Sequence, residues 1–159
     1  KRQSEARKKM NPYHYTECGL DNIIIEADLI AIDDKGEKIV TIPAIGQLHN
    51  IIAQGLVAQE NALSGTEIRF LRTEMGMTQA ELAQLLHRDT QTVGRGEHGE
   101  VALDATQDIF IRQLAAEKLQ LLLEKSIEKQ SQKVTPKAYR EPIHIQLTKN
   151  KKAPYKLVA

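Results

Sequence analysis

The sequence has few of the residues that mark secreted, disulfide-stapled or membrane-spanning proteins. Its 159 residues include one cysteine, Cys18, which fits a reducing compartment and allows no disulfide within the chain. No apolar run approaches the roughly 18 residues that a membrane span needs. No basic start followed by a long apolar segment marks a signal peptide. We therefore expect a cytoplasmic protein without a membrane partner.

Aromatic residues are also scarce. They make up 4% of the chain and tryptophan is absent, so Leu, Ile, Val and Ala must supply most of the core. The apolar fraction of 41% and the charged fraction of 27% are ordinary for a globular protein. The length fits one domain, or one domain with a small second unit.

Charge is spread unevenly although the net charge is only +1. Basic ends flank an acidic body, with +4 in 1–12, −6 in 13–63, −2 in 64–100, −2 in 101–124 and +7 in 125–159. Basic tails attract nucleic acid, but they are also common as solvated ends. Charge alone therefore leaves nucleic-acid binding open.

After a basic tail (1–12), the pattern predicts a β-rich unit with one helix (13–63). Four β-prone runs alternate with turn formers, as in two successive hairpins. The runs are 13–17, 23–25, 29–32 and 39–42, and the second turn is Asp33-Asp34-Lys35-Gly36. The strand pattern ends at Pro43.

Helical spacing follows in 45–63. The apolar residues that recur every three to four positions are Ile45, Leu48, Ile52 and Leu56. Gly55 lowers the helical propensity of this stretch. The composition of 61–65 predicts a boundary between two units.

Residues 64–130 predict a helical domain with capping residues at the helix starts. The capping candidates are Ser64 or Thr66, then Thr78 with Glu81 in capping-box spacing, then Asp89, then Asp104. The last helix is expected to place Phe110, Leu114 and Leu121 on one stripe, with Ile111, Ala115 and Leu122 beside it. Its pattern fits either one helix to about Gln130 or two shorter helices.

The basic C-terminal extension (131–159) is predicted to contain a strand. Residues 143–147 alternate apolar and polar, with His144 expected to face solvent, and 155–158 could form a short final strand. A return of these runs to the N-terminal hairpins would make the β unit discontinuous in sequence.

The clearest functional pattern runs from Met77 to Glu100, MTQAELAQLLHRDTQTVGRGEHGE. Two capped helices with a tight connection can lay the second helix in the DNA major groove. With Thr78-Gln79, Leu82-Ala83, Val93 and Glu97-x-Gly99 in register, this segment closely resembles the Cro/C1-type (phage-repressor-like, XRE) helix-turn-helix family. The resemblance covers about residues 64–125.

The resemblance implies roles for particular residues in holding and reading DNA. Gln79 opens the scaffold helix, where the family uses Gln to hold a phosphate. Thr90, Gln91 and Arg95 take the groove-facing positions of the recognition helix. Gln can pair bidentately with adenine and Arg with guanine. Arg88 and Thr92 are the further DNA-binding residues, as phosphate contacts.

Other positions are implied to be structural. Ala83 is the small residue that lets the two helices approach, and Val93 is the buried anchor of the recognition helix. Arg72 and Glu97 stand where the family often has an ion pair between its first and third helices.

Three features depart from the family's pattern. Gly96 stands where a bulky residue is usual, and its low propensity, about 1 kcal/mol below Ala, favours a short or altered recognition helix. His87 stands where glycine is usual, so it must adopt an unusual backbone conformation or a different turn. Because residues 64–100 are net acidic, phosphate attraction would depend on Arg69, Arg88, Arg95 and the basic tails.

Nothing in the sequence predicts a metal, a cofactor or a catalytic site. The five histidines and Cys18 form no Cys-x-x-Cys or His-x-x-x-His spacing, and His14 near Cys18 is only a pair. No glycine-rich phosphate loop or nucleophile elbow is present.

These observations predict an α+β protein, with a β-rich unit joined to a helix-turn-helix domain. The expected function is a transcriptional regulator, a repressor that binds a pseudo-palindromic operator in double-stranded DNA as a homodimer. One alternative is an antitoxin-like or scaffold protein that binds a protein partner through its β-rich unit and has weak or lost DNA binding. A second alternative is a small metal-dependent enzyme.

Overall fold

The fold was analysed in a computed structural model, which describes residues 11–123, 126–133 and 141–158. Six helices and six strands in two sheets lie in these ranges, so the predicted α+β class is confirmed. All but the last two residues of the predicted basic tail lie outside them.

Both predicted N-terminal hairpins are present. The strands are β1 (Tyr13–His14), β2 (Ile23–Glu26), β3 (Ile30–Ile32), β4 (Lys38–Val40), β5 (Ile143–Leu147) and β6 (Tyr155–Leu157). β1 pairs with β2 antiparallel, and β3 pairs with β4 in a separate two-stranded sheet. The turn of this second hairpin is held by Asp33, whose carboxylate accepts bonds from the backbone N–H groups of Lys35 and Glu37 at 2.9 and 2.8 Å.

The C-terminal strands do return to the N-terminal unit. β5 lies parallel to β2, with Ile23 opposite Ile143 and Ile25 opposite Ile145, and β6 pairs antiparallel with β5. The resulting sheet has the order β1-β2-β5-β6, so it is discontinuous in sequence. Period-two alternation places Ile23, Ile25 and Ile145 on one buried face.

The helices are α1 (Ile45–Ala58), α2 (Gly65–Glu74), α3 (Gln79–Leu86), α4 (Thr90–Glu97), α5 (Ala105–Leu119) and α6 (Ile127–Lys133). α1 buries Leu48, Ile52 and Leu56 as its spacing predicted, whereas Ile45 at its first turn is 52% exposed. Gly55 lets α1 approach the sheet, because a Cβ there would lie 3.2 Å from Ile143 and 3.3 Å from Leu157. The absence of its side chain therefore has a packing reason.

The last predicted helix is two helices. α5 ends at Leu119, and Gln120 takes a left-handed conformation with φ 54° before α6 begins. The predicted stripes were partly wrong, since Ile111 and Ala115 are buried but Phe110 and Leu122 are 40% and 77% exposed. The buried face of α5 is rotated relative to the predicted stripes, because it also carries a buried ion pair.

That ion pair ties α5 to the segment between α1 and α2. Arg112, 1% exposed, donates from Nε to Asp108 Oδ1 at 2.7 Å and from its terminal nitrogens to the carbonyl oxygens of Gln59 and Asn61. Asp108 Oδ2 accepts from the backbone N–H of Leu63 at 2.6 Å. The predicted boundary is thus held by a buried network, and one hydrophobic cluster spans the sheet and α1 to α5.

Candidate nucleic-acid interface

α3 and α4 form a helical pair joined by the three residues 87–89. Thr78 begins α3 as predicted, because its hydroxyl accepts a bond from the backbone N–H of Glu81 at 3.1 Å. Leu82 and Ala83 of α3 and Val93 of α4 are all buried in the common core. Apolar contacts on the inner side of both helices therefore fix the pair to the rest of the domain.

The connecting turn relies on a residue in an unusual conformation. His87 takes φ 54° and ψ 44°, the left-handed region that favours glycine. A hydrogen bond from the backbone N–H of Arg88 to the carbonyl oxygen of Ala83, 2.9 Å long, spans His87 at the end of α3. Of the two alternatives that the sequence left for this position, the strained backbone is the one found.

The outer side of α4 carries the three predicted groove-facing residues and, half-buried, the predicted phosphate contact Thr92. Thr90, Gln91 and Arg95 are exposed and Thr92 is half-buried. The opposite side buries Val93, Gly96 and Glu97. A row of polar side chains is thus presented to solvent by a helix whose other side is packed.

The start of α4 differs in one detail from the prediction. Asp89 occupies the N-cap position, but its carboxylate makes no capping hydrogen bond. The first-turn amide groups of α4 therefore receive no bond from this side chain.

Glu97 is the polar centre of the packed side of α4. Arg72 donates from Nε to one Glu97 oxygen and from Nη2 to the other at 3.2 Å, so the expected pair is present in bidentate form. Arg72 Nη1 also donates to the carbonyl of Met77 at 2.8 Å. Gln79 Nε2 donates to Glu97 Oε2 at 2.9 Å. One carboxylate therefore links α2, α3 and α4.

The two arginines predicted to contact DNA are held loosely. Arg88 lies 3.7 Å from Asp104 with half of its side chain exposed, and Arg95 lies 3.6 Å from Glu100 with two thirds exposed. Exposed pairs of this kind contribute about 0–1 kcal/mol. Such weak pairs can be exchanged for other anions at little cost.

Gly96 does not shorten the helix, since α4 continues to Glu97. The close contact between α2 and α4 is at Gly65 of α2. A Cβ added at Gly65 would lie 2.3 Å from the Gly96 carbonyl oxygen. Only a residue without a side chain fits where the start of α2 crosses the end of α4.

Sequence reasoning missed a hydrogen-bonded chain of three residues that joins the β unit to the helices. The Tyr15 hydroxyl lies 2.8 Å from His49 Nε2, and His49 Nδ1 lies 2.7 Å from Glu74 Oε1. The His49 ring also contacts Phe70 at a centroid distance of 5.4 Å. Burial raises the pKa of Tyr15 to about 12. The members are 34 and 25 residues apart, so no local pattern could reveal the chain.

The remaining titratable candidates do not come together as a site. His14 contacts the carbonyl of Asp21, His144 pairs with Glu26 at 3.0 Å, and burial raises the pKa of Cys18. In the described ranges, no three His, Cys, Asp or Glu side chains are grouped as metal ligands would be. No helix in the same ranges is long and apolar enough to span a bilayer.

In comparisons with known proteins, no protein-family model, no curated protein and no solved structure matches the chain.

Proposed function

We propose that the protein is a sequence-specific DNA-binding transcriptional regulator of the Cro/C1 type, acting as a repressor in the cytoplasm. The observation that carries this proposal is the division of α4 into a polar exposed side and a packed side. Thr90, Gln91 and Arg95 are the residue types that read base edges from a helix in the major groove.

Fixed orientation of α4 supports this function. Base readout depends on hydrogen bonds with narrow distance and angle limits, so the reading helix must not rock on its domain. The bonds of Glu97 to Arg72 and Gln79 restrain α4 against both preceding helices.

Electrostatics make the proposed binding conditional on a few arginines. Residues 64–100 carry a net charge of −2, so the net charge of this segment does not attract DNA. Arg88 and Arg95 would exchange their weak carboxylate partners for phosphates or bases. We expect binding that falls steeply with salt, because each phosphate contact releases condensed counterions.

The proposed functional unit is a homodimer. One recognition helix reaches only one half-site, and two copies related by a two-fold axis place their helices about one DNA turn apart. A pseudo-palindromic operator is the matching DNA sequence.

The test is a selection of random duplex DNA on the purified full chain at moderate salt. Enrichment of a two-fold symmetric site would support the proposal. Two results together would rule the proposal out. No site would be enriched, and the amount of DNA retained would not change with salt.

Variants with matched controls locate the reading helix. Gln91→Ala and Arg95→Ala should each weaken operator binding by about 1–3 kcal/mol and relax base preference. Gln84→Ala on α3 and Lys118→Ala on α5, which also remove exposed side chains, should do neither. Arg88→Ala should weaken all DNA sequences equally, as a phosphate contact does.

A second candidate function, a protein-interaction module, is favoured by the β3–β4 hairpin. Ile30, Ile32 and Val40 share one of its faces and are 45%, 71% and 41% exposed. In a pull-down quantified by mass spectrometry, Ile32→Lys should release a specific partner. Leu122→Lys, at a residue 77% exposed, should retain it. Equal retention of the partner by both variants would exclude the hairpin as the binding surface.

A further inference from the structure

A cavity of about 320 Å³ lies beside the C-terminal turn of α4. Its walls come from residues 62–64 and the start of α2, the end of α4, the loop 99–103 and the first turn of α5. A molecule in this space would touch α4 itself and the start of α2, which packs against it. Its size is at the lower end of small-molecule pockets.

Three glycines, Gly65, Gly96 and Gly99, contribute to these walls. At Gly65 there is no room for a side chain, because the backbone of α4 is too close. At Gly96 there is room. A Cβ would meet the Val101 carbonyl oxygen at 3.7 Å and the Leu103 side chain at 3.8 Å, both ordinary contacts. The side chain that Gly96 lacks therefore leaves part of the cavity open.

The cavity offers apolar surface and little usable charge. Leu63, Ile68 and Leu103 line it with aliphatic groups. The carboxylate of Asp108 is already bonded to Arg112 and to the N–H of Leu63.

The other polar groups at the cavity have defined geometry. The Ser64 hydroxyl is bonded to Glu67 at 3.0 Å. The three glycines add backbone but no side chains to the walls. The Val101 carbonyl oxygen lies 3.7 Å from the position of an added Gly96 Cβ, and a carbonyl oxygen can accept a hydrogen bond. A flat, neutral occupant with one donor group suits this combination, whereas an ion would find no counter-charge.

We propose that this cavity binds a small, neutral, flat aromatic molecule that carries one N–H or O–H donor, of the size of phenol or indole. The ring lies against the glycine backbone and Leu103, and its donor group faces the Val101 carbonyl. By joining α2, α4 and the loop before α5, the bound molecule adds to the restraint that the Glu97 bonds already place on α4. The consequence for operator binding rests on the proposed function, whereas the binding itself does not.

Binding is tested on the full chain by NMR with indole and phenol as probes. We expect saturable binding with a dissociation constant on the order of 1 mM or tighter. Ring protons should show Overhauser effects to the methyl groups of Leu103 and Ile68. Benzoate, a flat ring of similar size with a negative charge, should bind at least about tenfold more weakly because the cavity has no free cation. Absence of saturable binding, or Overhauser effects to methyl groups elsewhere, would overturn the proposal.

A matched pair of variants tests the location. Gly96→Leu places a branched side chain where the ring would lie and should abolish indole binding. Gly46→Leu makes the same change on α1, where nothing lies within 4 Å of the new Cβ, and should leave binding unchanged. Equal binding by the two variants would place the probe elsewhere. If Gly96→Leu does not give the circular dichroism of a folded chain, the Overhauser contacts of the unaltered protein decide the question.

The effect of the bound molecule on α4 is measured without DNA. Its outcome therefore does not depend on whether the protein binds DNA as proposed. Saturating indole should slow hydrogen exchange of the backbone amides in 90–97 at least about threefold more than it slows exchange of those in β5, whose amides report stabilisation of the whole fold. With a selected operator in hand, indole should also change operator affinity in the unaltered protein but not in Gly96→Leu. Bound indole with unchanged exchange in α4 would overturn the control of α4 and leave only the binding site.

Discussion

At the residue scale, two glycines on either side of the α2–α4 crossing respond oppositely to one added methyl group. Gly96→Ala meets only ordinary contacts and should raise the free energy of unfolding by about 0.5–1 kcal/mol through helix propensity. Gly65→Ala would place a Cβ 2.3 Å from the Gly96 carbonyl and should lower it by about 1–3 kcal/mol. Urea unfolding of the two variants checks both signs. Equal effects of the two changes would mean that the helices do not cross here.

The buried phenol of Tyr15 predicts a loss of stability in alkaline solution. Folding raises its pKa from 10.0 to about 12, chiefly by burial, so the unfolded chain releases this proton at lower pH than the folded protein. The contribution is complete below pH 10 and is lost as the pH rises towards 12. Tyr15→Phe should therefore show a weaker decline of unfolding free energy over this interval.

Near neutral pH the same substitution has another effect. Tyr15→Phe removes the hydroxyl partner of His49 and should lower the unfolding free energy by about 1 kcal/mol. The measurement is urea unfolding at a series of pH values beside Tyr155→Phe, since burial also raises the pKa of Tyr155. A parallel decline in the Tyr15→Phe and unaltered proteins would contradict the assigned burial.

At the element scale, the turn between α3 and α4 stores strain at His87. The left-handed backbone costs a non-glycine residue about 1–2 kcal/mol, and glycine gives part of that back as added freedom in the unfolded chain. His87→Gly should thus raise the unfolding free energy by about 0.5–1 kcal/mol. Gln84→Gly, in the exposed interior of α3, should lower it by about 1 kcal/mol. Thermal unfolding of both variants measures the contrast, and a loss in both would show that His87 is unstrained.

Sequence patterns located the helices better than the faces they bury. Thr78 and Asp104 cap α3 and α5 as expected, because capping depends on bonds to a backbone N–H three residues away. The burial of Phe110 was predicted wrongly. Spacing cannot show that a buried charged pair takes part of the inner face of α5 and turns Phe110 outward.

At the scale of the whole molecule, the sequence predicted each part of the β unit but could not establish its assembly. The alternation of 143–147 identified a strand, and its parallel place beside β2 comes from pairing across more than 100 residues. The Tyr15, His49 and Glu74 chain and the Arg112 network depend on similar long-range contacts. In the candidate site, the exposed side of α4 was predictable because its periodicity is local.

The Arg112 network predicts that the β-rich and helical parts unfold together. Arg112→Met leaves Asp108 buried without its counter-charge, together with unpaired carbonyl oxygens, and should lower the unfolding free energy by about 3–5 kcal/mol. Because that is a large share of the roughly 5–15 kcal/mol typical of a domain, much of the variant should be unfolded at moderate temperature.

The readout is urea unfolding followed by NMR signals from Ile145 in the sheet and Val93 in α4. Since Leu63 and Arg112 join the segment after α1 to α5, both signals should shift to the same lower midpoint. Lys118→Met, at an exposed position of α5, should shift neither. Separate midpoints for sheet and helices in the unaltered protein would contradict the shared core, since independent domains unfold at their own denaturant concentrations.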